Sequence, residues 1–276
     1  MSIVERLGRI DNRIIYTVLI IVLIWPLANP LGLPVSVGAN TRRTYEAIDA
    51  LESGNVVLFW AGYSASGAGD VQPQAVAIAR HLFQQGVKII FLSDVVEGPM
   101  LVENVITNIP EITSQTYGVD WVNLGYLAGG ENGISAAAKG LKEAYPLDFR
   151  GNPTESLALL ANIETAGDVD MTVFFTTQNS DMYVRQVYPY GKPLIGGLIN
   201  TIVPQAEPYV NSGQLTGILA GLRGGAEYEL LMKQPSLGLA AMDAQSIGHL
   251  LFILLIGMAN LAYFAQRNRL ARKVGE

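Results

Sequence analysis

The chain has no cysteine, and its 276 residues include only two histidines, His81 and His249. Disulfides, thiolate zinc sites and cysteine nucleophiles are thereby excluded, and a metal site or catalytic triad built on imidazole has little to draw on. Positive charge is scarce where a nucleic acid would need it. Positions 41–266 hold 11 Lys/Arg against 21 Asp/Glu, whereas the two ends hold 7 basic and 3 acidic residues. Nucleic acids demand a basic face, so an acidic centre argues against such a partner. Neither a dinucleotide fingerprint nor a phosphate-binding loop ending in Lys-Ser or Lys-Thr is present, and no cofactor is expected.

What the chain has in excess is apolar sequence. Half of it is hydrophobic and the mean hydropathy is +0.29, too apolar for an ordinary water-soluble domain of this length. The excess lies in two uncharged stretches. Residues 14–28 (IIYTVLIIVLIWPLA) are the core of an expected transmembrane segment over 14–33, ended by Pro26 and Pro30, and residues 247–265 (IGHLLFILLIGMANLAYFA) that of a second over 244–266. Arg6, Arg9 and Arg13 precede the first; Arg267, Arg269, Arg272 and Lys273 follow the second. Because positive charge is retained on the cytoplasmic side, the tails 1–13 and 267–276 are expected inside the cell and residues 34–240 outside the plasma membrane. Arg42 and Arg43 oppose this, but they are fewer and lie farther from their span. The first stretch also has the form of a secretory signal, with small residues at Val37-Gly38-Ala39, while Tyr16 and Trp25 suit the two interfaces of a permanent span. His249 falls just inside the second span, where a titratable group is a candidate for function but lies close enough to the interface to reach water.

Between the spans, apolar runs alternate with helical periodicity. Residues 56–60 (VVLFW) read as a buried strand feeding a glycine-rich turn, then a helix from Asp70 as N-cap to Gln85, stopped by Gly86. Further strands are expected at 87–92, 121–127, 170–176 and 194–199, and helices at 41–51, 98–109, 133–144, 156–164 and 182–188. His81 sits on a helix flank, the usual place for a partly exposed, satisfied histidine. This order predicts a three-layer, Rossmann-like α/β domain with a mainly parallel sheet of about five strands, flanked by N- and C-terminal transmembrane helices.

In such sheets ligands sit where strands end and helices begin. The first loop supplies Gly62, Ser64, Ser66, Gly67 and Gly69; Asp94 follows the second strand, and Thr177 and Asp181 follow the fourth. Backbone N–H groups and the two serine hydroxyls suit an anion at a helix N-terminus, yet Asp70 would repel it, and the same residue types are ordinary components of tight turns. Asp94 and Asp181 form the best carboxylate pair for acid–base work or a hard cation, against the plainer reading of Asp181 as a helix cap. No catalytic set and no metal site assembles from these positions.

Gly213, Gly217, Gly221 and Gly225 recur every fourth residue. On a continuous helix they would line one ridge, suited to close packing within the fold or between subunits, with Arg223 and Glu227 flanking the contact. Residues 81–88 (HLFQQGVK) and 211–229 (NSGQLTGILAGLRGGAEYE) resemble segments of prokaryotic two-transmembrane-helix proteins with a Rossmann-like outer domain. The resemblance implies one intact outer domain and brings no activity with it. The expected function is a non-enzymatic structural or assembly subunit in the lipid bilayer, forming a homo-oligomer or joining a larger membrane complex. The alternative is a small-ligand or nucleotide-binding protein, or an enzyme, using the strand-end rim.

Overall fold

The computed structural model describes residues 11–274, with side chains described to Ala265 and at Arg267; the tail residues Arg6 and Arg9, and the side chains of Arg269, Arg272 and Lys273, lie outside the described residues. Two compact units emerge. One is Val35–Gly238, and the other joins the stretch up to Pro34 with the chain from Leu239 onward.

Val35–Gly238 opens with helix α2 (Ala39–Asp49), numbered after a preceding helix α1 (Asn12–Ala28) of the other unit. Then follow β1 (Val56–Gly62), α3 (Ala68–Gln84), β2 (Lys88–Ser93), α4 (Gly98–Thr107), β3 (Trp121–Tyr126), α5 (Glu131–Lys139) and α6 (Leu141–Ala144). The second half holds β4 (Met171–Thr176), α7 (Asp181–Val187), β5 (Leu194–Leu198), α8 (Val203–Asn211), β6 (Gly217–Ala220) and α9 (Gly221–Met232). The strand residues are apolar on both faces because both faces are covered, as parallel sheets require. The six strands pair in parallel in the order β3-β2-β1-β4-β5-β6. From β1 the chain builds outward through β2 and β3, then crosses back to lay β4 on the other side of β1. That Rossmann-like order reverses direction between β1 and β4.

Alternation along the strands sorts the core into two layers. Val57, Phe59, Phe91, Val173 and Phe175 pack with α2, α3, α4 and α9, while Leu58, Trp60, Leu92, Phe174 and Leu198 pack with α5, α6, α7 and α8. Phe59 meets Phe91 and Phe175 at ring-centroid separations of 4.8 and 4.7 Å, and burying each such side chain is worth about 1.5–3 kcal/mol. His81 is not on a partly exposed flank. It is buried in the first layer, with Nδ1 2.8 Å from the Tyr228 hydroxyl and its ring stacked on Tyr45 at 4.9 Å.

Three expectations are corrected. A sixth strand, β6, runs through the glycine series, so Gly217 lies in a strand, Gly213 in the preceding turn, and only Gly221 and Gly225 in α9. No single helical ridge forms. Left-handed turns at Gly213 (φ 78°) and Gly221 (φ 53°) break the chain on either side of β6. The helix expected over 156–164 is replaced by two short 3-10 turns, Thr154–Ser156 and Ala158–Leu160, which bury Leu159 and Leu160 without a regular helix. The helix after β1 begins at Ala68, which puts Asp70 in its first turn and not at the N-cap.

In the other unit, α1 is 17 residues long and contains Pro26 near its end. At about 1.5 Å per residue it reaches roughly 26 Å, short of the ~30 Å hydrocarbon core. The segment expected over 14–33 therefore stops as a helix at Ala28. Beyond it, the N–H groups of Leu31, Gly32 and Leu33 donate to the buried carboxylate of Asp243 at 2.7, 2.9 and 3.1 Å. Asp243 belongs to α10 (Leu237–Val274), in which Leu237–Ala265 is the one described stretch long and apolar enough to cross a membrane. Ile20, Ile24, Trp25, Phe252, Ile253 and Ile256 of the two helices all stand exposed.

Candidate functional site

The reversal between β1 and β4 is where a parallel sheet leaves a crevice at the carboxyl ends of its strands. Here one side of that crevice is filled by the protein itself. Tyr183 of α7 stacks on Phe174 of β4 (4.4 Å between centroids, 9° between planes) and meets Trp60 of β1 edge-on at 5.9 Å. Its hydroxyl donates to Asp94 Oδ1 at 2.6 Å. A side chain at Gly62 would overlap both groups, so glycine is required there by close approach. Burial raises the Asp94 carboxyl above its usual range, with the Tyr183 hydrogen bond opposing, and burial raises the Tyr183 phenol well above its own. Next to this pair, Ser93 Oγ donates to Ala61 O at 2.8 Å, and the Ala65 N–H donates to Glu97 Oε2 at 2.5 Å.

The other side is open. A cleft of about 470 Å³ lies over the ends of β1, β4 and β5, lined by Ser66, Gly67, Gly69 and Asp70 from the first loop and helix, by Thr177 after β4, and by Ile199, Asn200 and Thr201 after β5. Gly67 lies close against Thr177, whereas the Gly69 Cα faces free space. Beneath the cleft, the buried Gln74 amide of α3 donates to Asp70 O, Leu198 O and Gly221 O at 3.2, 3.1 and 2.7 Å. One side chain thus ties the ends of three elements together. A second cleft of about 390 Å³ shares Asn200 and is lined further by Asn40, Thr41, Val203, Glu207, Ile218, Ala220, Arg223 and Glu227. Buried Glu227 accepts from Gly38 N (2.9 Å), Thr41 Oγ1 (2.6 Å) and Arg223 Nε (2.7 Å).

Of the residues expected at the rim, Ser66, Gly67, Gly69 and Thr177 come together in the first cleft. Gly62 and Asp94 belong to the filled side, and Ser64 turns its hydroxyl to Ser66 at 2.8 Å. Asp181 does not pair with Asp94; it lies 3.8 Å from Arg185, which is held bidentately by Glu131 at 2.9 and 2.8 Å. Among the described residues no group of three or more His, Asp or Glu could hold a metal ion. Arg223 and Glu227, expected to flank a subunit contact, pair with each other (2.7 Å) along the second cleft. Asn200 and Thr201, polar residues expected to join the same rim from the end of the fifth strand, do line the first cleft, whereas Glu207 of α8, in the second, was not singled out.

No family model matches the chain, and no curated protein resembles it at a significant level.

Proposed function

We propose that the chain is a membrane-anchored protein whose Rossmann-like domain binds a small polar ligand, neutral or cationic, in the open strand-end cleft. The observation that carries this reading is the cleft itself: about 470 Å³, at the carboxyl ends of β1, β4 and β5, with Asp70 as its only charged lining residue. That volume lies within the usual small-molecule range of about 300–1,000 Å³. A phosphate would meet no Lys or Arg there, and the Asp70 carboxylate already occupies the positive end of the α3 dipole.

Anchoring is supported by α10, whose apolar stretch Leu237–Ala265 is long enough to cross a bilayer and exposes Phe252, Ile253, Leu254 and Ile256. The apolar side chains that α1 exposes also support contact with a lipid surface. Assembly with other membrane proteins loses the glycine ridge that would carry it, so ligand binding ranks first.

Gly69→Leu tests this directly. A Cβ at Gly69 meets nothing within 4 Å and Gly69 lines the cleft, so a leucine there is expected to obstruct it while leaving the fold intact. Thermal-shift screening of the intact protein in detergent, using sugars, polyols, amino acids, amines and nucleotides, is expected to yield a stabilising ligand that no longer acts on Gly69→Leu. Saturation at about 100 times Kd would correspond to about 2.7 kcal/mol. No stabilising compound, or one acting equally on both proteins, contradicts the reading.

A further inference from the structure

We infer that His81 is a pH-operated latch, which holds α2 on the domain when neutral and releases it when protonated, taking down one wall of the second cleft. The latch is built where three helices meet. His81, in the last turn of α3, is buried; its Nδ1 lies 2.8 Å from the fully buried Tyr228 hydroxyl of α9, and its Nε2 lies 3.4 Å from Asp49 Oδ1 at the end of α2. Tyr45, also of α2, stacks on the ring at 4.9 Å with 22° between the planes.

These partners fix the neutral tautomer. A carboxylate only accepts, so the proton sits on Nε2 toward Asp49, and Nδ1 is left to accept from the Tyr228 hydroxyl. Protonation turns Nδ1 into a second donor, and the Tyr228 hydroxyl, with no exposure to water, loses the acceptor it had. Burial lowers the His81 pKa, with Asp49 opposing, so the closed junction resists the charge. Burial, with Asp49 adding to it, raises both the Tyr45 and Tyr228 phenols, which therefore keep their protons. Of the charged groups next to these positions, Arg80 pairs with Glu111 at 3.1 Å, and the Glu229 carboxylate accepts from the N–H groups of Ser236 and Gly238. Asp49 is the charge that acts on the imidazole.

Of the three helices, α2 is the one that gives way. Its buried side chains are Thr41, Thr44 and Ile48, whereas α3 and α9 are buried along most of their length. Thr44 Oγ1 is itself buried without a hydrogen-bond partner among the described residues, a defect that release into water repairs. At the other end of the helix, Gly38 N and Thr41 Oγ1 donate to Glu227, and Gly38, Asn40 and Thr41 line the second cleft. Release of α2 therefore removes those donors and opens that cleft in acid.

Hydrogen exchange of the intact protein in detergent at pH 7.5 and pH 5, corrected for intrinsic rates, tests the latch. Amides of α2 are expected to exchange at least about tenfold faster at pH 5, because an imidazole that takes up its proton only on release, near its ordinary pKa of about 6.5, favours the open form by that factor. At pH 5 they should also exchange at least about tenfold faster than amides of β1 and β4, which open only with the whole domain. His81→Gln is expected to abolish the acceleration in α2. Should that variant fail to fold, the parent decides: the nitrogen-15 signals of His81, told from those of His249 by His249→Gln, should show the Nε2–H tautomer at pH 7.5 and protonation only below about pH 6.5. Rates in α2 that do not change with pH, acceleration that persists in His81→Gln, or α2 amides no faster than those of β1 and β4 overturn the inference. So does a His81 that carries its proton on Nδ1, or both protons, at pH 7.5.

Discussion

The two sides of the sheet's carboxyl rim use the same kinds of residue in opposite ways. Over β1 and β2, the polar groups are consumed internally: Tyr183 by Asp94, Glu97 by the Ala65 N–H, Ser93 by Ala61. Over β4, β5 and β6, Asp70 and Glu207 face open clefts without partners among the described residues. A crevice at a topological switch point is thus no guarantee of a ligand there, because a single tyrosine can close it. Function is better sought where polar groups are left unsatisfied.

The comparison breaks most readily at Gly62. Gly62→Val forces a side chain into Tyr183, Asp94 and the Phe175 carbonyl and should destabilise the domain by about 3 kcal/mol, whereas Gly69→Leu on the open side should change stability by no more than about 1 kcal/mol. Unfolding curves of the two variants check this, and equal losses would mean that the two sides are equally packed. Next in size, Tyr183→Phe deprives the Asp94 carboxylate of its donor and should cost about 1–3 kcal/mol at neutral pH, read from the same curves.

The dependence on pH sharpens the contrast further. Asp94 is raised in the folded state, so through the window between its unfolded and folded values the native protein holds more protons, and stability from this group falls as pH rises. Asp94→Asn should remove that slope. His81 acts at a different pH: burial lowers it, so the unfolded chain takes up a proton first, and stability falls as pH drops below about 6.5. His81→Gln should flatten that limb and leave the Asp94 slope intact, as melting temperatures across pH 3–8 would show. The smallest effect is expected for Asp70→Asn, within about 0.5 kcal/mol of the parent by melting temperature.

The βα units up to β5 were legible because apolar runs of strand length alternate with helical periodicity, and each strand ends in turn-forming residues. β6 was hidden for a physical reason. Its four residues, Gly217 to Ala220, lie inside a series of glycines spaced by four, and that spacing imitates a helical ridge while the glycines at 213 and 221 in fact make turns. Losing β6 also hid the second cleft, since Ile218 and Ala220 line it. The 156–164 run misled similarly, because apolar residues packed under two short turns have the composition of a helix without its hydrogen bonds. Within the site, Ser66, Gly67, Gly69 and Thr177 could be named from the loops alone. Tyr183 could not, because on a short amphipathic helix it reads as core, and its polar role depends on Asp94, 89 residues earlier.

Hydrogen exchange on the intact protein with and without a saturating amount of the compound that the thermal-shift screen yields would locate the ligand on one side of the rim or the other. The account predicts slowed exchange confined to the backbone around 66–70 and 199–201, with the 93–98 loop beside Asp94 unchanged. Slowing at 93–98 with none at 199–201, or no slowing at any of the three, would contradict it.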